Sequence, residues 1–214
     1  MSVTGVIDYG MGNLHSIRKA LEFVAPAERV DVSYDPDLLC KADRLILPGV
    51  GAIKHCMDEL RRLELDHMLA DFRRHKPLLG ICLGMQALFE GSAENEGVPA
   101  LGFIPGEALE FPMPRMGAPG PRLKVPHMGW NQVHQERAHA LWEGVPQDAW
   151  FYFVHSYHIQ TDAPEHALGT TEYGLRFVSV AIAENVFGVQ FHLEKSQRAG
   201  LTLLGNFVQW DGSP

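Results

Sequence analysis

The feature that most restricts the fold is the run Lys76-Pro77-Leu78-Leu79-Gly80-Ile81-Cys82-Leu83-Gly84-Met85-Gln86-Ala87-Leu88-Phe89-Glu90. Its first half is short, apolar and opened by a proline, as a buried strand would be. From Leu83 onward it holds helix formers, with no breaker until Gly91. Between the halves lies Gly80-x-Cys82-x-Gly84, the cysteine form of the nucleophile elbow. There a nucleophile rides a sharp strand-to-helix turn, and small neighbours keep the turn free of clashes. The first N–H groups of the following helix then point at the reacting atom, where they favour a thiolate and can hold an oxyanion.

The rest of the first half supplies a sheet for that elbow. Val3 to Tyr9 reads as a buried strand, followed by a helix with Leu14, Ile17, Leu21 and Val24 on one face. The intervening Gly10-Met11-Gly12-Asn13 invites a phosphate-loop reading. The third glycine of a dinucleotide fingerprint is missing, however, and His15 stands in its place, which favours a tight turn packing helix on strand. Glu28 to Tyr34 alternates as a second strand, turned away by Asp35-Pro36-Asp37. Arg44 to Leu47 is a third, ending in Pro48-Gly49-Val50-Gly51-Ala52, and an amphipathic helix is expected from about Ile53 to His75. This order predicts an α/β fold, an open and mostly parallel central sheet flanked by helices, with ligands bound at the strands' carboxyl ends.

After Gly91 the texture predicts an added antiparallel part. Phe103 to Phe111 reads as a strand, Pro112 to Pro121 as a Pro/Gly-rich loop, and Lys124 to Asn131 as too irregular for a core strand. Trp150 to His158 is one strand-prone run. Phe177 to Ala183, a turn at Asn185 and Phe187 to Phe191 form a hairpin. A last helix is expected from about Ser196, as N-cap, with Leu201, Leu204, Phe207 and Val208 on one face. With no repeat or linker, residues 1–214 read as a single domain.

A formal net charge of −8 argues against a nucleic-acid surface, and Arg61-Arg62 and Arg73-Arg74 read as solvated helix faces. No stretch approaches the ~20 apolar residues of a membrane span, and no basic, apolar leader opens the chain. Three cysteines without metal spacing fit a reducing compartment, the cytoplasm by default.

Cys82 is the candidate nucleophile, because its flanking glycines have no use in ordinary packing. Cys40 and Cys56 read as small hydrophobes. Among eleven histidines the strongest base is His192 in Phe191-His192-Leu193-Glu194-Lys195-Ser196. Extended backbone would place Glu194 on the same side, where it could orient the imidazole toward Cys82. Metal is the competing use of His155, His158, His192 and Glu194. On a strand, though, a spacing of three points the rings of His155 and His158 to opposite faces, so no metal site is expected.

Gly80-Ile-Cys82-Leu-Gly84-Met-Gln86 together with Phe187-Gly-Val-Gln-Phe-His192-x-Glu194 resembles the class I, triad-type glutamine amidotransferases. Four further segments narrow the resemblance: Ile7 to Leu14, Leu47 to Ala52, Val125-Pro126-His127-Met128-Gly129-Trp130-Asn131, and Tyr152 to Tyr157. They look like the glutaminase subunits of imidazole glycerol phosphate synthases, from histidine biosynthesis, over nearly the whole chain. The resemblance implies glutamine hydrolysis through a cysteinyl thioester, with Cys82 as nucleophile, His192 as base and then acid, and Glu194 as orienter. It implies oxyanion donors at the backbone of Leu83 and of the Gly49-Val50-Gly51 loop, whose peptide turns only when the partner is engaged. It implies glutamine contacts at Gly49, Gly51, Gln86, Glu94, His155, Ser156 and Tyr157. Asn13, Trp130, Tyr152 and Lys195 would face the partner and an ammonia passage. That partner is a cyclase subunit with a (β/α)8 barrel, which makes imidazole glycerol phosphate and an aminoimidazole carboxamide ribonucleotide. No cofactor or metal is implied.

The family's usual proline between the histidine and glutamate is Leu193 here. Leucine reaches the same extended angles, so the pair can still form. The alternatives are a glutaminase for another synthase (pyridoxal phosphate or anthranilate), a stand-alone cysteine hydrolase, and a non-catalytic subunit that kept the fold.

Overall fold

The computed structural model of the chain describes residues 2–112 and 124–213. Alternation organises its first half. In β1 (Val3–Ile7) Val6 and Ile7 enter different apolar clusters. In β3 (Arg44–Leu47) Ile46 opposes Leu45 and Leu47, and in β4 (Leu78–Ile81) Leu79 and Ile81 oppose Leu78. Both faces of these strands must therefore be covered. On one face, α1 (Leu14–Val24) and α6 (Gln197–Gln209) contribute Ile17, Leu21, Leu203, Leu204, Phe207 and Val208. On the other, α3 (Ile53–Arg62), α4 (Leu65–Phe72) and α5 (Leu83–Leu88) contribute Met57, Leu60, Leu65, Leu69, Met85 and Leu88. Fully burying one such side chain stabilises by roughly 1.5–3 kcal/mol. β2 (Arg29–Ser33) forms the sheet edge. The one-turn α2 (Pro36–Leu39) follows it, capped by the Asp35 carboxylate, which accepts from the Asp37 N–H.

The second half consists of β5 (Phe89–Ser92), β6 (Val98–Pro99), β7 (Ile104–Glu110), β8 (His127–Gln135), β9 (Ala149–His155), β10 (Tyr157–Gln160), β11 (Ala167–Glu172), β12 (Arg176–Ala183) and β13 (Val186–Val189). The sheet order is β2-β1-β3-β4-β13-β12-β10-β7-β5-β6, with β11, β8 and β9 branching from β12. From β2 to β13 the pairing is parallel, whereas β13–β12, β12–β10, β10–β7 and the branch are antiparallel. The α/β fold is thus a helix-flanked parallel centre with an antiparallel extension.

Register fixes where the loops meet. Gly80 of β4 lies beside Leu47 of β3 and Gly188 of β13. The segments leaving these three carboxyl ends, Pro48–Ala52, Cys82–Gly84 and Gln190–Glu194, therefore converge on one sheet edge.

Several sequence expectations change. The helix expected over 53–75 is two, broken at Glu64 with φ +57°. In one continuous helix Leu60 and Leu65 would sit about 140° apart, and the break lets both face the sheet. The helix after the elbow ends at Leu88, because Phe89 pairs with Ile104 in β5 and β7. The 124–131 segment holds the start of strand β8, register-matched to β9 from His127 opposite His155 to Val133 opposite Ala149. The 150–158 run breaks at Ser156 into β9 and β10. That break turns both His155 and His158 onto Phe111, with ring centroids 5.3 and 4.7 Å away, so they do not point to opposite faces. Ser196 precedes α6 without capping it through its side chain. Apart from Pro112, the Pro/Gly-rich loop lies outside the described residues. Among the described residues, no helix is long and apolar enough to cross a membrane.

Candidate active site

Cys82 follows β4 directly, at φ +54° and ψ −108°, a conformation that L side chains rarely adopt. Its N–H donates to the Val189 carbonyl at 2.8 Å, which clamps the strained residue to β13. The two glycines permit the turn by close approach. A Cβ at Gly80 would meet the Gly84 carbonyl oxygen at 2.6 Å, and a Cβ at Gly84 would overlap the Leu47 carbonyl of β3. The thiol is 6 % exposed, with the Val154 carbonyl 3.8 Å from Sγ.

His192 lies three residues beyond β13, at an extended φ −92° and ψ 109°. Glu194 reaches it through a 3₁₀ turn over Leu193–Lys195, not along the extended backbone that the spacing suggested. The carboxylate accepts from His192 Nδ1 at 2.9 Å, with both side chains buried. Leu193, where the family usually has proline, is buried in the α1/α6 cluster, and the His192–Glu194 pair forms around it. Ser196 fixes the turn: its hydroxyl donates to the His192 carbonyl at 2.6 Å and accepts from the Tyr152 N–H at 2.9 Å. His192 Nε2 is buried without a hydrogen bond of good geometry. Burial favours the neutral imidazole, but the Cys82 sulfur and the Glu194 carboxylate outweigh it and push the pKa up to about 9.

The elbow's own N–H is occupied. Leu83 N–H donates to the Gly49 carbonyl at 3.3 Å, so the Pro48–Ala52 loop presents an acceptor where an oxyanion would need a donor. Tyr9 anchors the root of that loop through its hydroxyl, which donates to the Pro48 carbonyl at 2.7 Å. Val50 and Gly51 are exposed beyond it, Gly51 at φ +102°.

Val50, Gly51, Cys82, Leu83, Gln86, Glu94, His155, Ser156, Tyr157 and His192 line one cleft of about 400 Å³, with Pro126 and Val154. Every residue singled out above for catalysis or substrate contact is in it, except Gly49 and Glu194. Those two act from behind, on Leu83 and His192. Glu94 also accepts from the Ile53 N–H at 3.1 Å, taking the place of an N-cap side chain for α3. A larger hollow of about 700 Å³ beside Glu136, Arg137 and Arg176 contains neither Cys82 nor His192. Among the described residues no group of three or more side chains is arranged to hold a metal ion.

A buried polar chain backs the cleft. His155 Nδ1–H donates to the Tyr157 carbonyl at 2.7 Å, which leaves Nε2 to accept from His127 Nδ1–H at 2.9 Å. His127 Nε2 then accepts from the Asn131 amide at 3.3 Å. Burial pushes His127 down to about 4 and His155 down to about 3. An unfolded histidine titrates near ~6.5, so the unfolded chain takes up these protons first and stability falls as pH drops below that value. We expect His155→Gln to flatten the acid limb of the stability curve between about pH 6.5 and 4, by on the order of 1.4 kcal/mol per pH unit for the proton removed. Urea midpoints at pH 7.0, 5.5 and 4.5 measure it, and parallel curves for the two proteins would refute the role of burial.

No part in the site was anticipated for Gln190, Tyr9 or Ser196. A glutamine inside the apolar run Phe187–Phe191 was the available signal, since a buried polar side chain needs a partner. Trp130 and Tyr152, opposite each other in β8 and β9, stack edge to face at 6.0 Å, and the Lys195 ammonium lies 5.9 Å from the Tyr152 ring. With the exposed Met128 and Trp150 they form an apolar face. Asn13 instead caps α1, accepting from the Ser16 N–H at 3.4 Å.

The sequence profile of the family described as Glutamine amidotransferase class-I matches residues 5–210. The chain is 53% identical over 212 residues to the imidazole glycerol phosphate synthase subunit HisH of Nitrosococcus oceani, covering 99% of each chain. It is 50% identical over 212 residues to the subunit of the same name from Methylococcus capsulatus, covering 99% of this chain and 98% of that one. Its fold is similar to a crystal structure described as a glutamine amidotransferase, with TM-score 0.72 and 16% identity, covering 97% of this chain and 98% of the other. A glutamine amidotransferase from Thermotoga maritima gives TM-score 0.61 at 15% identity, covering 97% of this chain and 81% of that one. At such identities these structures speak for the fold alone.

Proposed function

The chain belongs to the class-I glutamine amidotransferases and, among them, to the imidazole glycerol phosphate synthase subunits HisH, and on that premise we propose that its cleft hydrolyses glutamine and hands the ammonia to a cyclase subunit. One observation carries the reading. The Cys82 thiol, the His192 imidazole and the Gln86, Glu94 and 155–157 contacts share one cleft of about 400 Å³, and Glu194 holds His192 from behind it.

Cys82 Sγ attacks the side-chain amide carbon of glutamine, with its proton held on His192. The oxyanion takes the Leu83 N–H, and a second donor comes from the Gly49–Gly51 loop once its peptide turns over. Collapse of the tetrahedral adduct breaks the C–N bond, and His192 Nε2 delivers the proton to the departing ammonia. Water, deprotonated by His192, then cleaves the thioester to glutamate. Glu94 takes the substrate's ammonium group, and Gln86 with the 155–157 backbone positions the rest.

The resting loop explains why such a subunit would work with a partner. With the Gly49 carbonyl on the Leu83 N–H, the first oxyanion donor is engaged and the second faces away. A missing donor costs about 10²–10³ in rate. The apolar face of Met128, Trp130, Trp150 and Tyr152, with Lys195 beside it, is carried by β8 and β9. Val154 of β9, opposite Met128, lines the cleft with Val50 and Gly51, which suits a (β/α)8 cyclase docked over the cleft mouth. Engagement there would turn the loop and close the ammonia passage.

Glutamate release is measured for the purified chain alone and with the cyclase and its nucleotide ligand. We expect a rise on the order of 10²–10³-fold in the complex. Undiminished turnover by the chain alone would instead favour a stand-alone hydrolase.

A further inference from the structure

Gln190 is completely buried between β13 and His192, and its backbone N–H donates to the Ser179 carbonyl at 2.9 Å, so the residue cannot swing away. Its side chain has two contacts. Gln190 Oε1 accepts from Gln86 Nε2 at 3.0 Å, and Gln190 Nε2 lies 3.7 Å from the Cys82 sulfur. The orientation is settled by its neighbour. Gln86 Nε2 also donates to the Tyr157 carbonyl at 3.2 Å, so that group must be the NH₂ of Gln86. Gln190 therefore turns its oxygen toward Gln86 and its own NH₂ toward Sγ.

We propose that Gln190 is the second hydrogen-bond donor to the nucleophile, holding the thiolate in place for attack. The need for it follows from the sulfur's surroundings. The Val154 carbonyl accepts from a thiol but repels a thiolate. The sulfur is a thiolate while His192 holds the thiol's proton before attack, and again as the acyl group leaves at the end of the second half-reaction. Gln190 has no proton to lose, so its NH₂ faces the thiolate at both of those points. The Gln86–Gln190 contact also ties the nucleophile to a residue of the substrate cleft, so substrate that engages Gln86 is sensed at Sγ through one amide. The titratable groups around the sulfur are His192 with Glu194, His155 across the cleft, Tyr9 two residues beyond β1 and Glu94 in the cleft lining.

The proposal rests on Cys82 being the nucleophile, and the test reads the two separately. Full-length wild type, Gln190→Met and Gln190→Glu are alkylated with iodoacetamide over pH 5.5–9.5, and the rate is followed by peptide mapping at Cys82 and at the exposed Cys40. Removing a donor to a charged acceptor should slow labelling of Cys82 about ten-fold at pH 7 and raise the midpoint of its rate–pH curve by about one unit. Glu should raise that midpoint at least as far, by placing a carboxylate on the sulfur. Cys40 must show the same curve in all three proteins, which separates a local effect from partial unfolding. Unchanged Cys82 curves in folded variants overturn the role of Gln190 and leave the nucleophile standing. Preferential labelling of Cys56 or Cys40 in the wild type overturns the nucleophile assignment and the Gln190 role with it.

Discussion

Replacing His192 by alanine is expected to lower glutamine turnover of the assembled complex by about 10³-fold or more, the scale on which loss of a triad base acts. Three facts make this residue hard to replace. It is the one imidazole held by a carboxylate, at 2.9 Å, in the cleft of Cys82. Its Nε2 is buried with no other claim on it. And its pKa of about 9 arises from Cys82 and Glu194 winning against burial, so the imidazole is charged at neutral pH only because both partners are present. The same shift has a second signature. The folded value lies above the ~6.5 of an unfolded histidine, so the stabilisation it gives is complete below pH ~6.5 and is lost as pH rises through about 9. His192→Ala should therefore flatten the alkaline limb of the stability curve while leaving the acid limb, set by His127 and His155, in place. Steady-state glutamate release and urea midpoints at pH 6.5 and 9.5 check the two halves. Turnover within ten-fold of wild type would remove His192 from the mechanism.

The largest effect on stability is expected at Gly84. Any Cβ there overlaps the Leu47 carbonyl of β3, and the obstacle is backbone in the centre of the parallel sheet. Relief requires α5 to move off the sheet, which opens the contacts of Met85 and Leu88 with the second apolar cluster. Gly84→Ala should cost about 3 kcal/mol or more, at the upper end for overpacking, since no side chain can yield. Gly205 in α6 is the control. An added Cβ meets only Val24 Cβ, at an ordinary 3.7 Å, and removing a helix-interior glycine should stabilise by about 0.5–1 kcal/mol. Midpoints of urea unfolding distinguish the cases, and a Gly84→Ala protein as stable as wild type would mean that the elbow is not tightly packed on β3.

Much of the elbow was legible because a cysteine between two glycines at a strand's end has few structural explanations. The strand before it, the helix after it and the glycine-rich end of β3 carry their own local signals, and these signals agree. The His192–Glu194 pair was legible in the same way, as a His-x-Glu closing an apolar strand. The errors share one cause: periodicity assumes uninterrupted elements. Glu64, at φ +57°, breaks one helix into two, and Ser156 breaks one strand into two. The second break turned His155 and His158 toward a common aromatic partner instead of away from each other.

The amino-acid sequence by itself determined the alternation of strands and helices, the strained turn at Cys82 and the identity of the groups able to act there, since these depend on neighbours within a few residues. Tertiary structure alone decided how they meet. The parallel register of β3, β4 and β13 brings the Gly49 loop, the thiol and His192 to one edge. The same register lays the Gly49 carbonyl on the Leu83 N–H and the Gln190 amide on the sulfur. Those contacts join residues 34 and 108 positions apart in the chain. No local propensity encodes such pairs, because their energy exists only once the sheet has closed around them.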